Sequence, residues 1–197
     1  MEAKIYAEQI AKKAKSTTRK LMSLTTDIKN KTLLKTAQLL DEKRSLILQE
    51  NQKDLEVAEK KGYSKALLDR LALNDKRIDQ MIQVLKDVAA LPDPVGEIVN
   101  MWTRPNGLKV GQMRVPLGVI LIIYEARPNV TIEAASLCMK SSNAVILKGG
   151  SETINSNRVL VEIIKEACRE TCFPEDAVMF VDTTDRSVVN ELLKLEG

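Results

Sequence analysis

The sequence predicts an α/β protein: a helical front part, a hairpin arm, and then part of a parallel sheet covered on both faces. Three observations carry this. Residues 1–90 place apolar side chains at helical spacing. Asn106-Gly107 lies between two extended runs, a strong hairpin signal. From Gly118 onward the runs GVILIIY, AVILK and AVMFVD alternate with amphipathic stretches. Strands this apolar are buried on both faces, and their alternation with helices makes the sheet parallel.

The elements follow in order. Ile5, Ile10 and Ala14 give a first helical stripe. A second runs through Leu33, Leu34, Ala37, Leu40 and Ile47, after Asp27 as a capping residue, and Gly62 stops it. Ser64 caps a short helix through Leu67, Leu68 and Leu71, and Asn74 caps another with Ile78, Met81, Ile82, Leu85 and Val88 on its inner face. LPDPVGE, at 91–97, cannot continue a helix. The expected division is therefore a helical part at 1–96, a hairpin arm at 97–117 and a sheet part at 118–197. A hairpin projecting from a helical body suits an arm for a neighbouring subunit. In the last part, Asn129 or Thr131 begins the first helix, Asp185 caps the third, and Gly197 is placed as a final helix C-cap. Three parallel strands make half of a doubly wound sheet and leave an apolar strand edge open to pairing.

Composition narrows the function. A formal net charge of +3, with 30 basic and 27 acidic residues interspersed, is weak for a nucleic-acid binder. The chain has no histidine, which removes the commonest zinc ligand and any Ser-His or Cys-His pair. Cys138, Cys168 and Cys172 form no metal-like constellation, so no metal is expected. No apolar run reaches membrane-spanning length and the N-terminus is too charged for a signal peptide, so a reducing cytoplasm is the expected address.

Two stretches lie at the carboxyl ends of strands, where open α/β sheets bind ligands. The first is LKGGSE, 147–152. Here Lys148 ends a strand, Gly149 and Gly150 allow close backbone approach, and Ser151 and Glu152 lead into a helix whose N-terminus suits an anion. It is either a ribose or phosphate contact, with Glu152 accepting from a sugar hydroxyl, or a plain strand-to-helix turn; both Gly-x-Gly-x-x-Gly and Gly-Lys-Ser/Thr are missing. The second is YEARPNVTIEAAS, 124–136. Arg127 suits a carboxylate or phosphate, and Asn129 suits a developing oxyanion. Alternatively Glu125 and Arg127 pair with each other and Asn129 caps the helix. Cys138 reads as a small buried hydrophobe, and Cys172 sits at the wrong end of a helix dipole for a stabilised thiolate.

The string MRVPLGVILIIYEARPNVTIEAASLCMKSSNAVILKGGSETINSNRVLVEII resembles the gamma-glutamyl phosphate reductases of the aldehyde dehydrogenase superfamily, and WTRPNGLKVGQMRVPLGV is similar to the hairpin before it in that family. The resemblance covers essentially the whole chain and implies an aldehyde-dehydrogenase-like, Rossmann-like fold. It implies reduction of L-glutamate 5-phosphate to the 5-semialdehyde by NADPH, with phosphate released, in proline biosynthesis. A cysteine thiolate attacks the acyl phosphate, hydride reduces the thioacyl enzyme, and the aldehyde leaves. It further implies that Lys148, Gly149, Gly150, Ser151 and Glu152 contact the cofactor, with Lys148 and Ser151 near the 2′-phosphate. Asn129 resembles the superfamily's oxyanion asparagine, with different spacing around it; Glu125 and Arg127 are expected as substrate contacts from their place where the chain leaves the sheet. The hairpin at 97–117 would join subunits of a homo-oligomer. The family's catalytic cysteine lies in a Gly-x-Cys-His type motif that this histidine-free chain lacks. The chain is therefore expected to be an amino-terminal, cofactor-binding portion, inactive alone. Another aldehyde dehydrogenase portion, or a non-catalytic assembly module, remains the alternative.

Overall fold

The computed structural model describes residues 2–195; the expected C-cap at Gly197 lies outside them. Five helices come first: α1 (Glu2–Met22), α2 (Thr26–Glu42), α3 (Arg44–Lys60), α4 (Lys65–Leu71) and α5 (Asp75–Ala90). A two-stranded ribbon follows, β1 (Ile98–Thr103) antiparallel to β2 (Lys109–Met113). Then β3 (Val119–Ile123), α6 (Asn129–Lys140), β4 (Ala144–Lys148), α7 (Ile154–Thr171), β5 (Val178–Phe180) and α8 (Ser187–Leu192) complete the described chain. The three later strands pair in parallel in the order β3-β4-β5.

All five residues of β4 are buried, as their uniformly apolar run up to Lys148 requires. Helices α6 and α7 pack together on β4 and β5, with α2, α3 and α5 stacked behind them, while α1 and α8 pack together beside the sheet. The inner stripe of α1 is Ala7, Ile10, Ala14, Thr17 and Leu21; Ile5 is 49% exposed, because it lies off the stripe that Ala7 and Ile10 set. Strand β3 is half-buried rather than buried as expected. It is an edge strand, and Ile123 stays 51% exposed. Val119, Leu121 and Ile146 floor an apolar groove of about 550 Å³ against α1.

The stretch expected as one helix from Asp27 to Gly62 is two, broken at Lys43 (φ −105°, ψ 21°). No proline or glycine marks the break in the sequence. Tertiary pairs flank it instead: Lys43 reaches Glu166 on α7, and Arg44 reaches Asp41 and Asp79. The cap of α2 is Thr25, whose hydroxyl accepts from Ile28 N, not Asp27. Ser64 and Asn74 do accept from Leu67 N and Arg77 N. Gly62 (φ +71°) ends α3 with the paired bonds Gly62 N to Glu59 O and Tyr63 N to Ala58 O, a left-handed closure that glycine adopts without penalty.

Two buried ammonium groups join α2, α5 and α6. Lys29, 1% exposed, donates to both carboxylate oxygens of Asp93 at 3.0 and 2.8 Å. Lys140 donates to Asn30 Oδ1 at 2.6 Å and Ala89 O at 2.9 Å, and burial lowers its pKa. Burial alone would raise the Asp93 pKa, but Lys29, Val95 N and the Thr26 hydroxyl outweigh it and hold the carboxyl below its ordinary 3.8. The stabilisation is therefore complete above pH 3.8 and lost as pH falls through the lower folded-state value. Asp93→Asn is expected to destabilise the chain by about 3 kcal/mol at pH 7, because a buried ammonium loses its counter-charge. Urea unfolding of both proteins at a series of pH values checks this, and the difference should shrink on acidification below 3.8.

Candidate functional site

Two sets of side chains gather at the carboxyl end of the sheet. The first is the turn after β4. Lys148 ends the strand, buried along its length, and its Nζ donates to Gly149 O at 2.7 Å. Burial lowers its pKa; Glu152 works against this and Arg186, in the segment before α8, adds to it. An ammonium has three donors, so two remain for a ligand. Ser151 is exposed and donates to Glu152 Oε2 at 3.3 Å within a 3-10 turn, Ser151–Thr153. Arg186 was not among the residues read from the sequence. The only signal was its position after a third strand, and just the parallel order β4-β5 brings it near Lys148.

The glycines of this turn have different reasons. A Cβ on Gly149 would overlap Asn157 Nδ2 and lie 3.2 Å from the Tyr124 ring, so this glycine is required by internal packing. A Cβ on Gly150 would meet only the Glu152 carboxylate, which can swing away, and its φ of −61° suits any residue. The expected anion site at the start of α7 is already filled. The Asp54 carboxylate, from α3, accepts from Asn155 N at 3.2 Å and Ser156 N at 2.8 Å. It also takes the Ser156 hydroxyl at 2.6 Å, and Asn51 braces that serine at 3.0 Å. A carboxylate is the natural complement of a helix N-terminus, and here the protein supplies its own.

The second set surrounds the loop after β3. Arg127 and Asn129 line a polar recess of about 320 Å³ with Arg70, Arg77, Asp69 and Glu133. Asn129 does not cap α6; its amide donates to Glu133 Oε1 at 2.8 Å. Glu125 and Arg127 form no ion pair; the Arg127 N–H donates to the Glu125 carbonyl at 3.0 Å, and Glu125 lies outside the recess lining. Arg70 and Arg77 were missed because they belong to α4 and α5, about fifty residues upstream, and only the packing of α5 on α6 brings them in.

A hydrogen-bond chain lies between the two sets. Thr131 Oγ1 donates to Asn157 Oδ1 at 2.9 Å, so the Tyr124 hydroxyl, 2.6 Å away, donates to Thr131. Asn157 Nδ2 donates to Thr153 Oγ1 at 2.9 Å, and Thr153 donates to Gly150 O at 3.3 Å. Burial pushes the Tyr124 phenol up to about 12, so it stays protonated as this chain requires.

None of the thiols is poised for attack. Burial pushes Cys138 up to about 11 and Cys168 up to about 12. Cys172 is exposed but takes the left-handed C-terminal position of α7 (φ +62°), where Phe173 N bonds Cys168 O. Among the described residues no group of three or more His, Cys, Asp or Glu side chains could hold a metal, and no helix is long and apolar enough to cross a membrane.

Residues 3–197 match the model of the aldehyde dehydrogenase family. The chain belongs to that family. Within it, the chain is 83% identical over 197 residues to a gamma-glutamyl phosphate reductase from Sulfurihydrogenibium sp. (strain YO3AOP1), covering 100% of this chain and 44% of that protein. Its structure is similar to the crystal structure of gamma-glutamyl phosphate reductase from Thermotoga maritima, with a TM-score of 0.94 and 48% identity over 96% of this chain and 46% of the other. The yeast enzyme of that name, from Saccharomyces cerevisiae, gives a TM-score of 0.86 at 33% identity, over 92% and 47%. The chain thus spans less than half the length of these family members. Its fold is aldehyde-dehydrogenase-like, in agreement with the resemblance.

Gly149→Ala is expected to destabilise the chain by roughly 1–3 kcal/mol, the usual cost of overpacking. Gly150→Ala should change stability little. Denaturant midpoints of the two variants beside the parent chain give the comparison.

Proposed function

We propose that this chain is the cofactor-side portion of an enzyme that reduces L-glutamate 5-phosphate to L-glutamate 5-semialdehyde with NADPH, releasing phosphate, as the second step of proline biosynthesis. The observation that carries the reading is the 83% identity, along the whole chain, to a protein named gamma-glutamyl phosphate reductase. Membership of the aldehyde dehydrogenase family implies a nicotinamide cofactor. We read it as NADPH because the resemblance to the reductases implies it and because Lys148, with Arg186 near enough to act on its charge and Ser151 three residues on, suits a 2′-phosphate. With the start of α7 closed by Asp54, side chains rather than helix N–H groups would hold that anion. Glu152 would accept from a ribose hydroxyl, and Gly149 and Gly150 would let the adenosine side approach the backbone.

The bound cofactor would supply the hydride. This chain's own part is to bind and orient. Lys148 holds the cofactor against the sheet, and the Tyr124–Asn157 chain fixes the turn that carries it. Asn129 is the orienting amide of the polar recess. Arg127 and Glu125, on the loop after β3, face the substrate side. Because burial keeps the Cys138 and Cys168 thiols protonated and Cys172 sits at the C-terminal end of α7, the wrong end of the helix dipole for a thiolate, the covalent step is assigned to no residue here, and the chain alone is read as inactive. Free thiols suit a reducing cytoplasm.

The β1–β2 ribbon supports an assembly role. Ile98, Val99, Met101, Leu108 and Met113 are all more than half exposed, and a two-stranded ribbon with apolar residues on both sides needs cover. We read it as the homo-oligomer contact of the intact enzyme. Light scattering of the full natural polypeptide that carries this chain should show an oligomer, and Met101→Asp should shift it to a smaller species without unfolding it.

Calorimetric titration of the 197-residue chain with NADPH, beside its Lys148→Ala variant, tests the cofactor reading. Saturable binding is expected, weakened roughly tenfold or more by the substitution. A folded chain that binds no NADPH would shift weight to an assembly module.

A further inference from the structure

The recess beside α6 carries more charge than the fold uses. Arg77 is committed: it pairs with Asp69 Oδ1 at 3.1 Å and donates to the carbonyls of Asp69 and Ala72. Arg70 and Arg127, in contrast, make no ion pair among the described residues. Glu133 is held through one oxygen by Asn129 at 2.8 Å, and a carboxylate has a second oxygen to offer.

The backbone that carries these groups is held in place. Arg127 stands between buried Ala126 and buried Pro128. Its carbonyl accepts from Val130 N at 3.1 Å, so the loop is tied directly into the first turn of α6. Glu133 is one turn further along that helix. Arg70 comes from α4 and lines the same recess. The recess thus offers two unpaired guanidinium groups and one anchored carboxylate in about 320 Å³, at the small end of ligand sites.

That set complements a free amino acid. Guanidinium groups bind a carboxylate in bidentate fashion, and a carboxylate takes an ammonium. We propose that the recess holds the amino-acid end of the substrate, with Arg127 and Arg70 on its α-carboxylate and Glu133 on its α-ammonium. The proposal rests on the reading that the enzyme acts on a glutamyl substrate; it gives Arg127 a defined group to hold and assigns specificity to Arg70 and Glu133, which that reading leaves without a role.

Three aldehydes separate the contacts: L-glutamate 5-semialdehyde, 5-oxopentanoate without the amine, and 4-aminobutanal without the carboxylate. Each is oxidised with NADP and inorganic phosphate by the full natural polypeptide that carries this chain. Arg127→Gln is expected to raise KM for the first two aldehydes roughly ten- to a hundredfold, with kcat and the KM for 4-aminobutanal little changed. Glu133→Gln should raise KM for the two amines and spare 5-oxopentanoate. Arg70→Gln, at an exposed position, serves as the second carboxylate probe. Equal effects on all three aldehydes, no effect, or a raised KM for phosphate instead would overturn the assignment while leaving the parent reaction standing. No oxidation of the semialdehyde by the unmodified polypeptide would remove both.

Discussion

Strand β4 has no polar side to turn toward water. All of Ala144 to Lys148 is buried, so both faces must be covered and both edges paired. The two parallel connections, through α6 and α7, meet this on one side, and α1 with α8 meets it from the other. Since β5 is followed by α8 rather than by another helix of the α6–α7 layer, the chain changes faces there. Open α/β sheets bind ligands outside the carboxyl ends of their strands. Lys148 and Arg127 leave adjacent strands there. Their proximity follows from the burial of β4, not from any motif they share.

The turn after β4 shows how one feature can look like a phosphate site and serve another purpose. Two glycines before a helix suggest backbone held open for a ligand. Yet Gly149 is small because Asn157 and the Tyr124 ring fill the space its side chain would need. At the start of α7, Asp54 takes the Asn155 and Ser156 N–H groups, and the same carboxylate ties α3 to that helix. Those two N–H groups are thereby used in folding. Recognition of an anion at this turn must come from charged side chains, and Lys148 is placed for it by β4 itself.

Patterns of local origin were legible in the sequence. Ser64, Asn74 and Gly62 act within one helix turn of their own position, and each shows the cap or stop that its chemistry dictates. The Asn106-Gly107 hairpin is equally local, with Gly107 at φ +84°. What escaped depends on distant partners. The break at Lys43 is flanked by Glu166 and Asp79, both far along the chain. Strand β3 has the same apolar run as β4 but a different environment, because nothing in a single run tells an edge from a centre. The candidate site divides in the same way. Lys148 and Arg127 stand at strand ends that the pattern predicts, whereas Arg70, Arg77 and Arg186 join them only through packing between elements.

The two candidate regions are also mechanically one. Thr131 lies on the first turns of α6, the helix that carries Asn129 and Glu133, and it donates to Asn157 on α7. Through Thr153, Asn157 reaches the carbonyl of Gly150, next to the residue whose smallness it enforces. Every donor in this run is matched to one acceptor, and each member is at least largely buried. A tilt of α6 that moved the recess would break a buried hydrogen bond, at a cost of about 1–3 kcal/mol for each group left unpaired. A scaffold in which the proposed substrate recess and the proposed cofactor turn share one buried polar chain keeps the two regions in a fixed relation without needing a ligand to set it.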